Sequence, residues 1–160
     1  MSTELSSTSE QGIDQTVDQD LVLEMRDRIS SLEDVLRNAE QCEIEPVHYF
    51  ADGVYAREIT ILKDTVLTGK IHLTQHLNII SKGKIQIATE SGFKIIEAPY
   101  TMVSEPGTKR AGYALEDTVW TTIHVTDKTD IEEIEKETVV ETYEEFLSLS
   151  SGKEKLSIGE

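Results

Sequence analysis

A chain of 160 residues has room for one ordinary domain with tails, and not for two full domains. Its net charge of −16 disfavours phosphate backbones and anionic membrane surfaces as partners, and no apolar run approaches the roughly 20 residues needed to span a bilayer. The expectation is therefore no nucleic acid and no membrane. The charge is also unevenly placed. Between Tyr49 and Thr126 eight acidic residues are matched by eight basic ones, so the whole excess sits in the two ends.

The opening MSTELSSTSEQ lacks the basic-then-apolar pattern of a secretory leader. The single cysteine, Cys42, has no partner for an internal disulfide. Together these point to a chain made and kept in a reducing cytoplasm, with later packaging into a particle still open. Residues 1–19, rich in Ser, Thr, Gln and Asp, read as a flexible tail.

From 20 to 41 the pattern becomes helical, with Asp20 placed to serve as N-cap. Val22, Met25, Ile29, Leu32, Leu36 and Ala39 step by threes and fours, the a and d spacing of a heptad repeat. Arg28 then falls at g and Glu33 at the following e. Such a stripe has two uses: a coiled coil joining two or three copies, or an amphipathic helix laid on its own domain. Self-association into a dimer or trimer is the expectation.

The segment 47–126 carries strand-like runs rich in Val, Ile and Thr: VYAREITIL, TVLTGKIHL, HLNIIS, KIQIAT, GFKIIEA, YTMVS and VWTTIHV. Turn residues separate them at Ala51-Asp52-Gly53, Lys63-Asp64, Ser81-Lys82-Gly83, Glu90-Ser91-Gly92, Glu105-Pro106-Gly107 and Glu116-Asp117. About seven short strands without interposed helices make a mainly β, antiparallel sandwich or barrel. Beyond Thr126 the chain, 127–160, is acidic. A short helix is expected over the carboxylate-rich stretch from Asp130 to Glu145, with Ile131, Ile134, Tyr143 and Phe146 as anchors, followed by a loose end.

The chemistry concentrates in Gly69-Lys70-Ile71-His72-Leu73-Thr74-Gln75-His76, with Gly83 seven residues on. Alternate residues on neighbouring strands point into the mouth of a barrel, where His72 and His76 would offer two nitrogens to one divalent cation. His124, on the last strand run, is a candidate third ligand if its parity faces inward. Zinc, iron, nickel and manganese all suit such a set. Lys70 and Arg110 would repel a cation and favour an anion such as a carboxylate or phosphate. Metal ligation, anion binding and plain structural histidines stay open for His72 and His76. Arg57 shares the apolar parity of Tyr55, Ile59 and Ile61, so either it has a partner, for which Glu97 or Glu116 would serve, or the strand breaks register or lies at a sheet edge. Tyr55, Arg57, Lys70 and Arg110 are thus the candidate ligand-binding residues. His48 has no partner in sequence and reads as structural. No catalytic residue is assigned: Cys42 has no basic activator nearby, and neither a Gly-x-Ser-x-Gly elbow nor a phosphate-binding Gly-rich loop is present.

The spacing of these residues resembles the two cupin motifs. The resemblance places Lys70 and His72 at the two histidines of the first motif, His76 at its glutamate and Gly83 at its glycine. Glu105-Pro106-Gly107-Thr108-Lys109-Arg110 resembles the second motif, with Arg110 at its histidine. More specifically, VYAREITILKDTVLTGKIH, HLNIISKGKI and APYTMVSEPGTKRAGYALEDTVWTTIH resemble small cupin-fold proteins encoded by tailed bacteriophages, over a little under half of the chain. That group often carries a histidine where this chain has Leu115. The resemblance implies a single jelly-roll barrel, flanked here by an N-terminal amphipathic helix of coiled-coil spacing and a short acidic C-terminal helix. The heptad helix lies outside the resemblance, but tail, helix and jelly roll together match by analogy the plan of phage decoration, fibre or neck components. With the incomplete ligand set they point to an oligomeric phage-type protein contacting other virion proteins, located in the virion or the host cytoplasm. The alternative is a metal-dependent cupin enzyme acting on a small molecule. A ligand-sensing regulator is a third reading, without any DNA-binding element to support it.

Overall fold

The computed structural model describes residues 15–157, with side chains from 19 to 151. Most of the expected flexible tail lies outside the described residues. The first helix, α1 (Gln15–Arg37), starts earlier than expected, so Asp20 lies inside it and is not its N-cap.

Ten strands follow before the next helix: β1 (Val47–Ala51), β2 (Val54–Ile61), β3 (Val66–Thr68), β4 (Ile71–His72), β5 (His76–Lys82), β6 (Lys84–Thr89), β7 (Gly92–Glu97), β8 (Tyr100–Ser104), β9 (Ala111–Ala114) and β10 (Thr118–Val125). They form a five-stranded sheet in the order β1-β2-β10-β5-β8 and a four-stranded sheet in the order β3-β9-β6-β7, antiparallel throughout. The fold is a jelly roll. Strand parity sends Ile61 and Ile80 of the first sheet and Ile85, Ile87, Ile96 and Ala114 of the second into one buried core. Gly83 turns the chain from β5 into β6, and so from one sheet to the other. Its φ is +90°, and a Cβ there would stand 2.2 Å from the Asp117 carbonyl oxygen, so only glycine fits.

Helix α1 lies across β3 and β6. Its covered face is the stripe read from the sequence: Ile29 is buried, and Val22, Met25, Leu32 and Leu36 are half-buried. The residues expected to join copies thus pack on the chain's own β-domain, the other use of such a stripe. Ion pairs fix the helix there, Arg26 to Glu90 at 2.8 Å and Glu33 to the buried Lys109. Arg28 pairs with Glu24 one turn back, and not with Glu33.

The acidic segment is more ordered than expected. Helix α2 (Ile131–Thr138) is capped by Asp130, whose carboxylate accepts the Glu133 N–H. A two-residue strand, β11 (Val139–Val140), pairs with β4, and helix α3 (Tyr143–Ser157) replaces most of the expected loose end. Two contacts hold α3: the Phe146 ring packs on Gly107, and the Arg26 guanidinium lies 4.3 Å over the Tyr143 ring.

Candidate metal centre

Three strands bring three histidines to one end of the barrel. His76 opens β5 and His124 nearly closes β10; these strands run antiparallel with Leu77 opposite Ile123, so the two rings meet at the same end. His72, on β4, is held from the other side by its pairing with Val139 of β11. Ring centroids are 4.0 Å apart for His72 and His76, 5.2 Å for His72 and His124, and 5.0 Å for His76 and His124. One nitrogen from each ring lies within 4.8 Å of the other two. Tetrahedral zinc–nitrogen bonds of about 2.0–2.1 Å set neighbouring ligand nitrogens roughly 3.3 Å apart, so small ring rotations close the cluster on one ion. His124 does face inward, the condition for its joining the other two, and the three named candidates come together.

Their hydrogen bonding fits a metal. His76 donates Nδ1–H to the Thr74 carbonyl at 2.9 Å, which leaves the Nε2 lone pair free. His76 Nε2, His72 Nδ1 and His124 Nδ1 are all buried without a hydrogen-bond partner. Buried polar nitrogens are rarely left this way, and a shared cation would satisfy all three together. The rings are also held neutral, as ligation requires. Burial, reinforced by His76, His124 and Arg110, pushes His72 down to about 3. Burial and His76 push His124 down to about 4. His76 is lowered too, by burial, against the pull of its Thr74 bond.

Beneath the cluster lies a cavity of about 300 Å³. Tyr55, Arg57, Lys70 and Arg110, the four candidate ligand-binding residues, all line it. Their settings differ. Lys70 reaches Glu141 at 3.4 Å and Glu135 at 4.0 Å, so its charge is already answered by the acidic segment. Arg57 is exposed at the mouth and pairs with neither Glu97 nor Glu116; no ion pair to it occurs among the described residues. The Arg110 guanidinium donates to the Ser104 hydroxyl and stands 5.9 Å from the Trp120 ring centre, and burial lowers its pKa.

No family model matches the chain, and no curated protein matches it. Solved structures, cupin proteins among them, share its outline. A cupin-2 domain protein from Shewanella frigidimarina aligns over 59% of this chain and 92% of its own, at 16% identity and a TM-score of 0.44. For KdgF from Halomonas sp. the figures are 57%, 88%, 14% and 0.47, and for a protein from Neisseria meningitidis 64%, 96%, 11% and 0.45. The likeness lies in the fold.

Several residues at the site were not legible in the sequence. Asn78, fully buried, donates to Ser104 and accepts from Trp120 Nε1 at 2.9 Å and Thr122 at 3.1 Å, tying three strands under the cluster. His48 has a partner after all: its Nδ1 lies 2.7 Å from the Tyr55 hydroxyl, and Tyr55 stacks on His124. Ile134, Glu135, Thr138 and Val139 close the cavity from the C-terminal segment. Leu115, where the resembling group has a histidine, sits in the turn after β9 beside Gly83, at the far end of β5 from His76, and is no part of the cluster.

Proposed function

We propose that this chain is a metal-dependent cupin. His72, His76 and His124 hold one divalent transition-metal ion, and the cavity beneath holds the small molecule on which it acts. The observation that carries this reading is the set of three buried, unpartnered nitrogens converging on one point. Three neutral imidazoles leave the charge of a divalent ion undiminished and leave coordination positions open, so the bound ion supplies Lewis acidity to an oxygen of the small molecule or of water. The protein contributes the rest. Asn78 fixes β5 against β8 and β10, the Tyr55–His48 pair backs the His124 ring, and the α2–β11 segment forms one wall of the cavity.

Elemental analysis of the purified, metal-reconstituted chain tests this. One equivalent of a first-row transition metal is expected, reduced to a small fraction by His72→Ala or His76→Ala. A wild-type chain that takes up no metal, or a double alanine variant that keeps it, would sink the reading. A virion-associated oligomeric module is a separate proposal, supported by the phage-protein resemblance alone; sizing the full chain against one beginning at Val47 tests its oligomeric part.

A further inference from the structure

The metal reading leaves Arg110 unexplained. This guanidinium is largely enclosed, with one hydrogen bond to a neutral hydroxyl and a distant aromatic face. Its Nε is buried without a partner, and no carboxylate pairs with it among the described residues. Burying a charge without a counter-charge is expensive, and such a site is stabilised by whatever anion completes it. Lys70 lacks this property because Glu135 and Glu141 answer it, and Arg57 because it is exposed. Arg110 alone among the cavity's cations is both enclosed and unanswered.

The rest of the lining narrows the anion. Beside Arg110 the wall joins Ile59, Ile61, Leu67, Ile85 and Ile87 to polar groups whose donors are committed elsewhere: Trp120 and Thr122 to Asn78, Asn78 to Ser104, and Tyr55 paired with His48. With Lys70 held by Glu135 and Glu141 and Arg57 out at the mouth, a phosphate or sulfate on Arg110 would leave its remaining oxygens facing isoleucines and committed donors. A planar carboxylate matches the guanidinium fork with two parallel hydrogen bonds and needs no further donor on its carbon side. The volume of about 300 Å³ corresponds, at roughly 30 Å³ per water-sized group, to about ten non-hydrogen atoms.

We propose that the cavity takes a small carboxylic acid of up to about eight carbons in all, its carboxylate on Arg110 and its apolar tail among the isoleucines. This rests on reading the cavity as the ligand site and names the class of its ligand. Titration calorimetry on the full chain, stripped of metal with a chelator, compares octanoate, octanol, acetate and inorganic phosphate. Octanoate is expected to bind at least about tenfold more tightly than each of the other three. Arg110→Met is expected to remove that advantage over octanol while the tail contribution persists. Octanol binding as well as octanoate would overturn the role of Arg110, and acetate binding as well would overturn the apolar tail. Phosphate binding more tightly than octanoate would overturn the carboxylate. The wild-type ligand series decides even if Arg110→Met fails to fold. Because metal is absent from the titration, a chain that binds octanoate but no metal refutes the metal reading alone, and the converse refutes the carboxylate alone.

Discussion

Lowering the pH of the metal-free chain from 7 to 5 should destabilise it through the histidine cluster. His72 and His124 have folded-state values of about 3 and about 4, against an unfolded value of 6.5. Between those limits the unfolded chain binds more protons at these sites than the folded one, so stability rises with pH there and falls on acidification. The loss begins as pH drops through 6.5 and ends only near the folded values. At pH 5 each ring, almost wholly protonated when unfolded and neutral when folded, costs up to about 2 kcal/mol relative to pH 7. Allowing for partial solvation at the mouth, the pair should cost about 3 kcal/mol. Urea unfolding at the two pH values measures it, with a midpoint expected to fall by about 1.5 M for a slope near 2 kcal/mol per M. The control is His72→Gln with His124→Gln, which lacks both titrating rings. If the variant loses as much stability as the wild type on acidification, the buried neutral histidines are not the cause and the reasoning fails.

Three further outcomes follow from particular contacts. Gly83→Ala forces a left-handed residue and a Cβ against the Asp117 carbonyl, and should cost about 3 kcal/mol in chemical denaturation; a loss below about 1 kcal/mol would mean the turn can re-route. Lys109→Met leaves Glu33 without its buried partner and should cost about 2 kcal/mol, with faster amide exchange in α1; pairing it with Glu33→Leu should restore most of the loss, and no restoration would deny the ion pair its role. Asn78→Leu strands the Thr122 hydroxyl and the Trp120 indole N–H, and should cost about 3 kcal/mol with altered Trp120 fluorescence; unchanged stability would show that the network is replaceable.

Strands β2, β5, β6 and β10 were readable because they are rich in Val, Ile and Thr, residues that suit a pleated surface, and are bounded by turn residues. Strand β1 was not: it sits at a sheet edge with most of VHYFA exposed, so no alternation marks it. Strand β9, AGYA, is too short and small to signal, because Gly112 must pass beneath Ile85 and Leu67. Helix α3 escaped because SLSSGKEKLS lacks an apolar face. The stripe of α1 was visible, but periodicity states only that a face will be covered and not by what. At the site, the three histidines could be named because their residue type carries the chemistry. The neighbours that complete it could not, since Ile134 and Val139 reach the cavity by a β11–β4 pairing of two residues far apart in sequence.

The most direct measurement of the central claim is the X-ray absorption spectrum of the metal-loaded full chain at the metal edge. The expected spectrum shows three imidazole ligands with metal–nitrogen distances near 2.0–2.1 Å, reduced to two or fewer in His124→Ala. A shell of oxygen ligands without imidazole scattering, or one unchanged in His124→Ala, would contradict a centre built on His72, His76 and His124.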